Sequence, residues 1–226
     1  MVVGANDNID GDFPNNTSYF TGGYHGYMSR SSGNYTATMR EVSKEVYADG
    51  RPLLMGESCY CESVVIKVVN LLQGCNTEKA DGSGREIVKQ TILVICNNEG
   101  HHVSVNLEPL ENISIYLMSG LCIYNDLPYV QFIGSQTATG IYGHSEVVRA
   151  DRCVHTIAQF DNNYQIDLSL DTSFGVGNGQ YNSMTRNASI ESAGKSYFYL
   201  VKNDSGQVFS PSDIVTFRGI YKLKSR

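Results

Sequence analysis

Glu86-Ile87-Val88-Lys89-Gln90-Thr91-Ile92-Leu93-Val94-Ile95-Cys96 is the stretch whose reading decides the fold. Its second half is an unbroken apolar run, and short apolar segments follow at Val103 to Leu107, Ile113 to Met118, Leu121 to Tyr124 and Tyr129 to Ile133. Turn chemistry separates them: Asn97-Asn98-Glu99-Gly100, Glu108-Pro109, Ser119-Gly120 and Asn125-Asp126. Strand-length apolar runs punctuated in this way read as a β-meander.

The pattern continues on both sides. Val64 to Val69 is dominated by β-branched residues, which favour strand over helix. The cluster Asp81-Gly82-Ser83-Gly84 separates it from the opening stretch, so the two runs are expected to pair as a long hairpin with Cys61 and Cys96 near the same end. Residues 37 to 47 carry Met39, Val42 and Val46 at helical spacing. However, Arg40/Lys44 and Glu41/Glu45 are like-charge pairs that oppose a helix. Strand is the better reading, with Asp49-Gly50 as a hairpin turn into Arg51 to Met55. Tyr164 to Leu170 alternates as a half-buried strand. Val147-Val148 and Val154 to Ile157 are strand-like, with a turn at Ala150-Asp151-Arg152. Tyr197 to Lys202, the turn Asn203 to Gly206, and Gln207 to Phe209 read as a hairpin, and Ile214 to Leu223 as a closing strand. About twelve strands and no helix predict an all-β protein, a β-sandwich or barrel-like domain.

The expected organisation is an extended N-terminal arm over residues 1–36 and a β-sandwich domain over 37–226. A division into two subdomains near 134–143 is the second option. The arm is rich in Gly, Asn, Ser and Tyr and has little apolar periodicity. Alone it cannot bury enough surface to offset its ordering entropy. Its aromatics, Tyr19, Phe20, Tyr24, Tyr27 and Tyr35, point to docking on its own domain or a neighbouring subunit. The segment from Gly175 to Ser189, with Asn178, Tyr181 and Asn182, is long for a structureless connection and is the second interface candidate.

Composition narrows the function classes. The 226 residues have a formal net charge of −6, which disfavours nucleic-acid binding through a basic face. Arg218, Lys222, Lys224 and Arg226 are read as a solvated terminus. No apolar run has the length of a membrane span. The first residues, Met1 to Asn8, carry neither the basic nor the apolar region of a signal peptide. On that reading the six cysteines are free thiols, buried at Cys96 and Cys122 inside apolar strands and buried or exposed at Cys59 and Cys61, and the Asn-x-Ser/Thr sequons at Asn15, Asn16, Asn34, Asn112, Asn187 and Asn203 are unused. Charged residues make up 18% of the chain, below the roughly 25% of ordinary soluble domains, as suits faces covered by neighbours.

Chemistry-bearing motifs are sparse. Cys59-Tyr60-Cys61 places two thiols at i and i+2 but has no second pair to complete a zinc site. His101-His102 follows a turn, where both imidazoles could meet one ion, but adjacent strand residues face opposite ways. His144-Ser145-Glu146 and Asp151 with His155 supply residue types of a hydrolase triad without its spacing. No serine sits in a nucleophile elbow. Asp81 to Arg85 lacks phosphate-loop spacing. The expectation is no catalytic residue, no metal and no cofactor. Polar amides beside aromatics at Tyr24 to Tyr27 and Gly177 to Asn182 leave a glycan- or receptor-binding module as the alternative function. A hydrolase with an unrecognised site is the third.

The whole chain resembles the structural proteins of tailed-bacteriophage virions. The resemblance is carried by the arm 1–36, the loop from Gly175 to Asn182, the dense strand pattern, the low charge and the cysteines that read as reduced. It implies a non-enzymatic virion component of tail, neck, ring or fibre-adaptor type, made in the host cytoplasm. Such a component would assemble through arm and loops with copies of itself and with other virion proteins, in a ring or trimer.

Overall fold

The structure is a computed structural model and describes residues 6–10, 19–20, 39–73, 85–124, 127–135, 137–151, 155–175, 186–191 and 195–226. These residues form strands and turns, with no helix among them. In chain order the strands are β1 (Asn6–Asp10), β2 (Tyr19–Phe20), β3 (Met39–Ala48), β4 (Arg51–Pro52), β5 (Val64–Gln73), β6 (Glu86–Asn97), β7 (Gly100–Pro109) and β8 (Ile113–Tyr124). There follow β9 (Tyr129–Ile133), β10 (Ile141–Gly143), β11 (Val148–Asp151), β12 (Thr156–Phe160), β13 (Tyr164–Leu170), β14 (Arg186–Glu191), β15 (Lys195–Phe209) and β16 (Val215–Ser225).

Two antiparallel sheets result. The larger runs β10-β9-β12-β13-β16-β7-β6-β5-β3-β4, and the smaller β11-β14-β15-β8-β1-β2. They share one core, in which Val105, Leu107, Leu168, Val215, Phe217 and Tyr221 of the larger sheet join Ile113, Ile115, Leu121, Phe198 and Leu200 of the smaller. The expected β-sandwich is thus the architecture. The sheets approach closely where β8 crosses β16. A Cβ on Gly120 would lie 2.6 Å from the Phe217 ring, and one on Gly219 would collide with Leu121. The buried Tyr221 hydroxyl donates to the Cys122 carbonyl of the opposite sheet at 3.1 Å.

Local expectations hold where the signal is local. Residues 39–48 are a strand, and β5 and β6 form the expected hairpin, with Val64 opposite Cys96 and Val68 opposite Ile92. The turn at Asp49 and Gly50 has positive φ at both residues, 47° and 78°. That is the twist-compatible two-residue turn an Asp-Gly pair favours.

Longer-range expectations are corrected. The opening stretch is not a meander: β6 and β7 are neighbours, but β7 pairs with β16, β8 leaves for the smaller sheet, and β9 returns to the far side of the larger one. Ser119-Gly120 is no turn but lies inside a continuous β8, where glycine answers the close approach of Phe217. β15 is likewise one strand; Lys202 pairs with Leu117 and Gln207 with Ile115, so the residues between form a bulge, not a hairpin turn. β4 stops at Pro52, and Leu54 and Met55 belong to a loop. Ala150 and Asp151 are in β11, not in a turn. Of the long loop after Phe174, the residues from Arg186 on are strand β14, paired to β11 and β15.

Candidate functional site: a two-faced apolar wing and its groove

The smaller sheet covers only part of the larger one. Directly opposed residues of antiparallel strands share a face, so the pairing register sorts each side chain. On the core face, Val105, Leu107 and Phe217 are buried. Farther out on the same face, Val46, Val64, Ile66, Val68, Ile92 and Val94 are only half-buried. On the opposite face Tyr47, Val65, Val69, Leu93 and Ile95 are also half-buried. The outer halves of β5 and β6, with β3, therefore form a wing that is apolar on both faces and fully covered on neither.

The wing's outer face runs into a groove of about 440 Å³. Leu93, Ile95 and Ile220 give it apolar lining, and His102, Ser104 and Ser169 its polar lining. One end is held by Arg218, whose Nε donates to Asp171 at 2.6 Å while its guanidinium lies 3.9 Å from the Phe174 ring centroid. Asp171 is held below the ordinary carboxylate range, first by the Ser173 hydroxyl and also by Arg218, against the opposing effect of burial. Two ion pairs brace the wing, Lys67 with Glu45 at 3.7 Å and Arg40 with Glu86 at 2.7 Å. Beyond the two-residue β4, which pairs only with Tyr47 and Ala48, the wing's outermost strand β3 is bulged between Glu41 and Ser43, with Val42 exposed there. A bulged, charged edge discourages strand addition.

The other singled-out residues disperse. His101 and His102 lie on β7, not at the preceding turn. His101 faces Cys96 and Tyr221 across the ladders, and His102 faces Ile95 and Ile220 on the other side. His102 Nε2 lies 3.6 Å from Glu99. Glu146 closes its own turn, its carboxylate accepting from the Gly143 N–H at 2.6 Å. Cys59 and Cys61 sit together in an exposed loop. Among the described residues no group of three or more His, Cys, Asp or Glu side chains is placed to hold a metal.

Of the expected interface residues, Tyr19 and Phe20 form β2 on the edge of the smaller sheet, with Phe20 opposite Asp7 and Tyr19 opposite Asn8. Tyr24, Tyr27, Tyr35, Asn178, Tyr181 and Asn182 lie outside the described residues. The wing is not among the expected interface residues. Its signal is the lack of alternation in Val64 to Val69 and Thr91 to Cys96, which means two apolar faces but does not say what covers them.

No protein-family model, no curated protein and no solved structure matches the chain.

Proposed function

We propose that this chain is a non-enzymatic structural subunit, of the tailed-bacteriophage virion type, that assembles with copies of itself. The observation that carries the reading is the wing, with half-buried apolar side chains on both faces of β5 and β6. The two faces look in opposite directions. A two-fold contact through one face would leave the other exposed on every copy. A head-to-tail contact, outer face on the next copy's core-side face, covers both and closes into a ring when the rotation allows. A stable interface needs roughly 800 Å² from each partner, and the groove beside Leu93 and Ile95 extends the outer face toward that size. The low charge fraction and the tyrosine- and asparagine-rich segments support the same reading.

Light scattering on the purified chain, and on Ile95→Lys (outer face) and Ile66→Lys (core-side face), tests it. The wild-type chain is expected to run as a multimer at micromolar concentration. Each variant should fall to monomer, because a lysine in an apolar contact leaves a charge without a partner. An equimolar mixture of the two variants should recover dimers and nothing larger, since each retains one intact and complementary face. A monomeric wild-type chain overturns the proposal, and so do variants that assemble as well as wild type.

A further inference from the structure

The loop joining β4 to β5 carries two thiols that the assembly reading does not use. It is tightly built. The Asp49 N–H donates to the Ser63 carbonyl at 2.9 Å, and the Asp49 carboxylate accepts from the Glu62 and Ser63 N–H groups at 3.1 and 2.9 Å. Leu53 N–H donates to the Val46 carbonyl, and Leu54 N–H to the Glu57 carboxylate at 2.9 Å. Arg51 pairs with Glu57 at 3.5 Å. From this frame Met55 and Tyr60 project fully into solvent. Cys59 and Cys61 flank Tyr60, and both are exposed. Cys96 and Cys122 are half-buried on β6 and β8.

We propose that Cys59 and Cys61 are a reversible dithiol, oxidised to an intramolecular disulfide by a low-molecular-weight disulfide such as oxidised glutathione. In the first step the Cys59 thiolate attacks one sulfur of the oxidant, forming a mixed disulfide and releasing one thiolate. The Cys61 thiolate then attacks the Cys59 sulfur, closes the Cys59–Cys61 bond and releases the second. Both cysteines lose their protons, and two electrons pass to the oxidant, which leaves as two thiols. The resolving thiol is adjacent, so the second step is intramolecular and outruns attack by a second small thiol. The thiols are close enough to act on each other's ionisation: the Cys61 thiol is pushed up, chiefly by its surroundings and then by the Cys59 sulfur and Asp49. Closure therefore speeds up as pH rises above neutral, as the thiolate fraction grows. The bridge would fix the loop that displays Leu54, Met55 and Tyr60. The proposal stands whether or not the wing assembles.

Peptide mapping by mass spectrometry after exposing the folded, full-length chain to oxidised glutathione tests it. The tryptic peptide ending at Lys67, which contains both cysteines, is expected to lose two hydrogens, to resist alkylation and to recover both thiols on reduction. Cys61→Ser should stop at a glutathione adduct on Cys59. Two independent glutathione adducts on the wild-type peptide, or a disulfide-linked dimer through either cysteine, would overturn the proposal. The wild-type measurement needs no variant to fold.

Discussion

Asn70 and Gln90 face each other across β5 and β6 on the core side, both about 1% exposed. The Asn70 Nδ2 donates to Gln90 Oε1 at 3.1 Å. The remaining polar atoms of the pair, Asn70 Oδ1 and Gln90 Nε2, meet no hydrogen-bond partner among the described residues. One bond thus holds together two amides that burial otherwise penalises. A one-residue slip of β6 would separate them and turn Ile92 and Val94 outward, so the pair favours the observed register. Asn70→Leu alone is expected to cost about 1–3 kcal/mol, because Gln90 is then left wholly unsatisfied, and Gln90→Met should cost a similar amount. The double variant should cost less than the sum, by about 0.5–3 kcal/mol of coupling. Urea unfolding of the four proteins measures this, and additive losses would show that the pair does not act as a unit.

At the scale of the element, β8 holds the sandwich together. It pairs with β15 and β1 within its sheet and meets β16 across the core. Gly120 is one of two glycines at that crossing, its absent Cβ giving room to Phe217 and Leu200, both essentially inaccessible to solvent. Gly120→Ala should destabilise by about 1–3 kcal/mol through overpacking. Adding Phe217→Leu should recover part of that loss relative to the sum of the singles, as read by thermal unfolding, and strictly additive losses would place the strain elsewhere. The same glycine explains what the sequence could not disclose. Ser119-Gly120 and Asn203 to Gly206 have turn composition, yet the first is a packing contact and the second a bulge within β15. Composition reports local backbone freedom and cannot distinguish a turn from a close approach. β3 and the Asp49-Gly50 turn were legible because their determinants lie within a few residues of one another, and the β5–β6 hairpin because its two apolar runs are consecutive in the chain. The partition of β7, β8 and β9 between two sheets was not, because it depends on contacts far apart in the chain. The wing was half legible: its two apolar faces are written in Val64 to Val69 and Thr91 to Cys96, but their incomplete cover follows from where the smaller sheet ends.

Across the whole molecule, several carboxylates make the fold weaker in acid. Four carboxylates that tie distant or turning backbone are held below their ordinary range. Glu86 is lowered by the hydrogen bond and charge of Arg40. Asp161 is lowered by the Asn163 and Tyr164 N–H groups in the turn from β12 to β13. Asp171 is lowered by Ser173 and Arg218, and Asp213 by the N–H and hydroxyl of Ser210 before β16. In each case the folded state binds its proton more weakly than the unfolded chain. The stabilisation is therefore complete above the unfolded values, about 3.9 for Asp and 4.3 for Glu, and is lost as pH falls through the lower folded values. The thermal midpoint should be level from about pH 7 to pH 5 as far as these groups are concerned, then fall toward pH 3 and below. Asp171→Asn should lower the midpoint at pH 7, because Arg218 and Ser173 lose a charged acceptor, while narrowing the gap between pH 7 and pH 3. Scanning calorimetry across that range checks both effects. An equal midpoint at pH 3 and pH 7 would mean that these carboxylates do not stabilise the fold, and an undiminished acid limb in Asp171→Asn would remove Asp171 from the set.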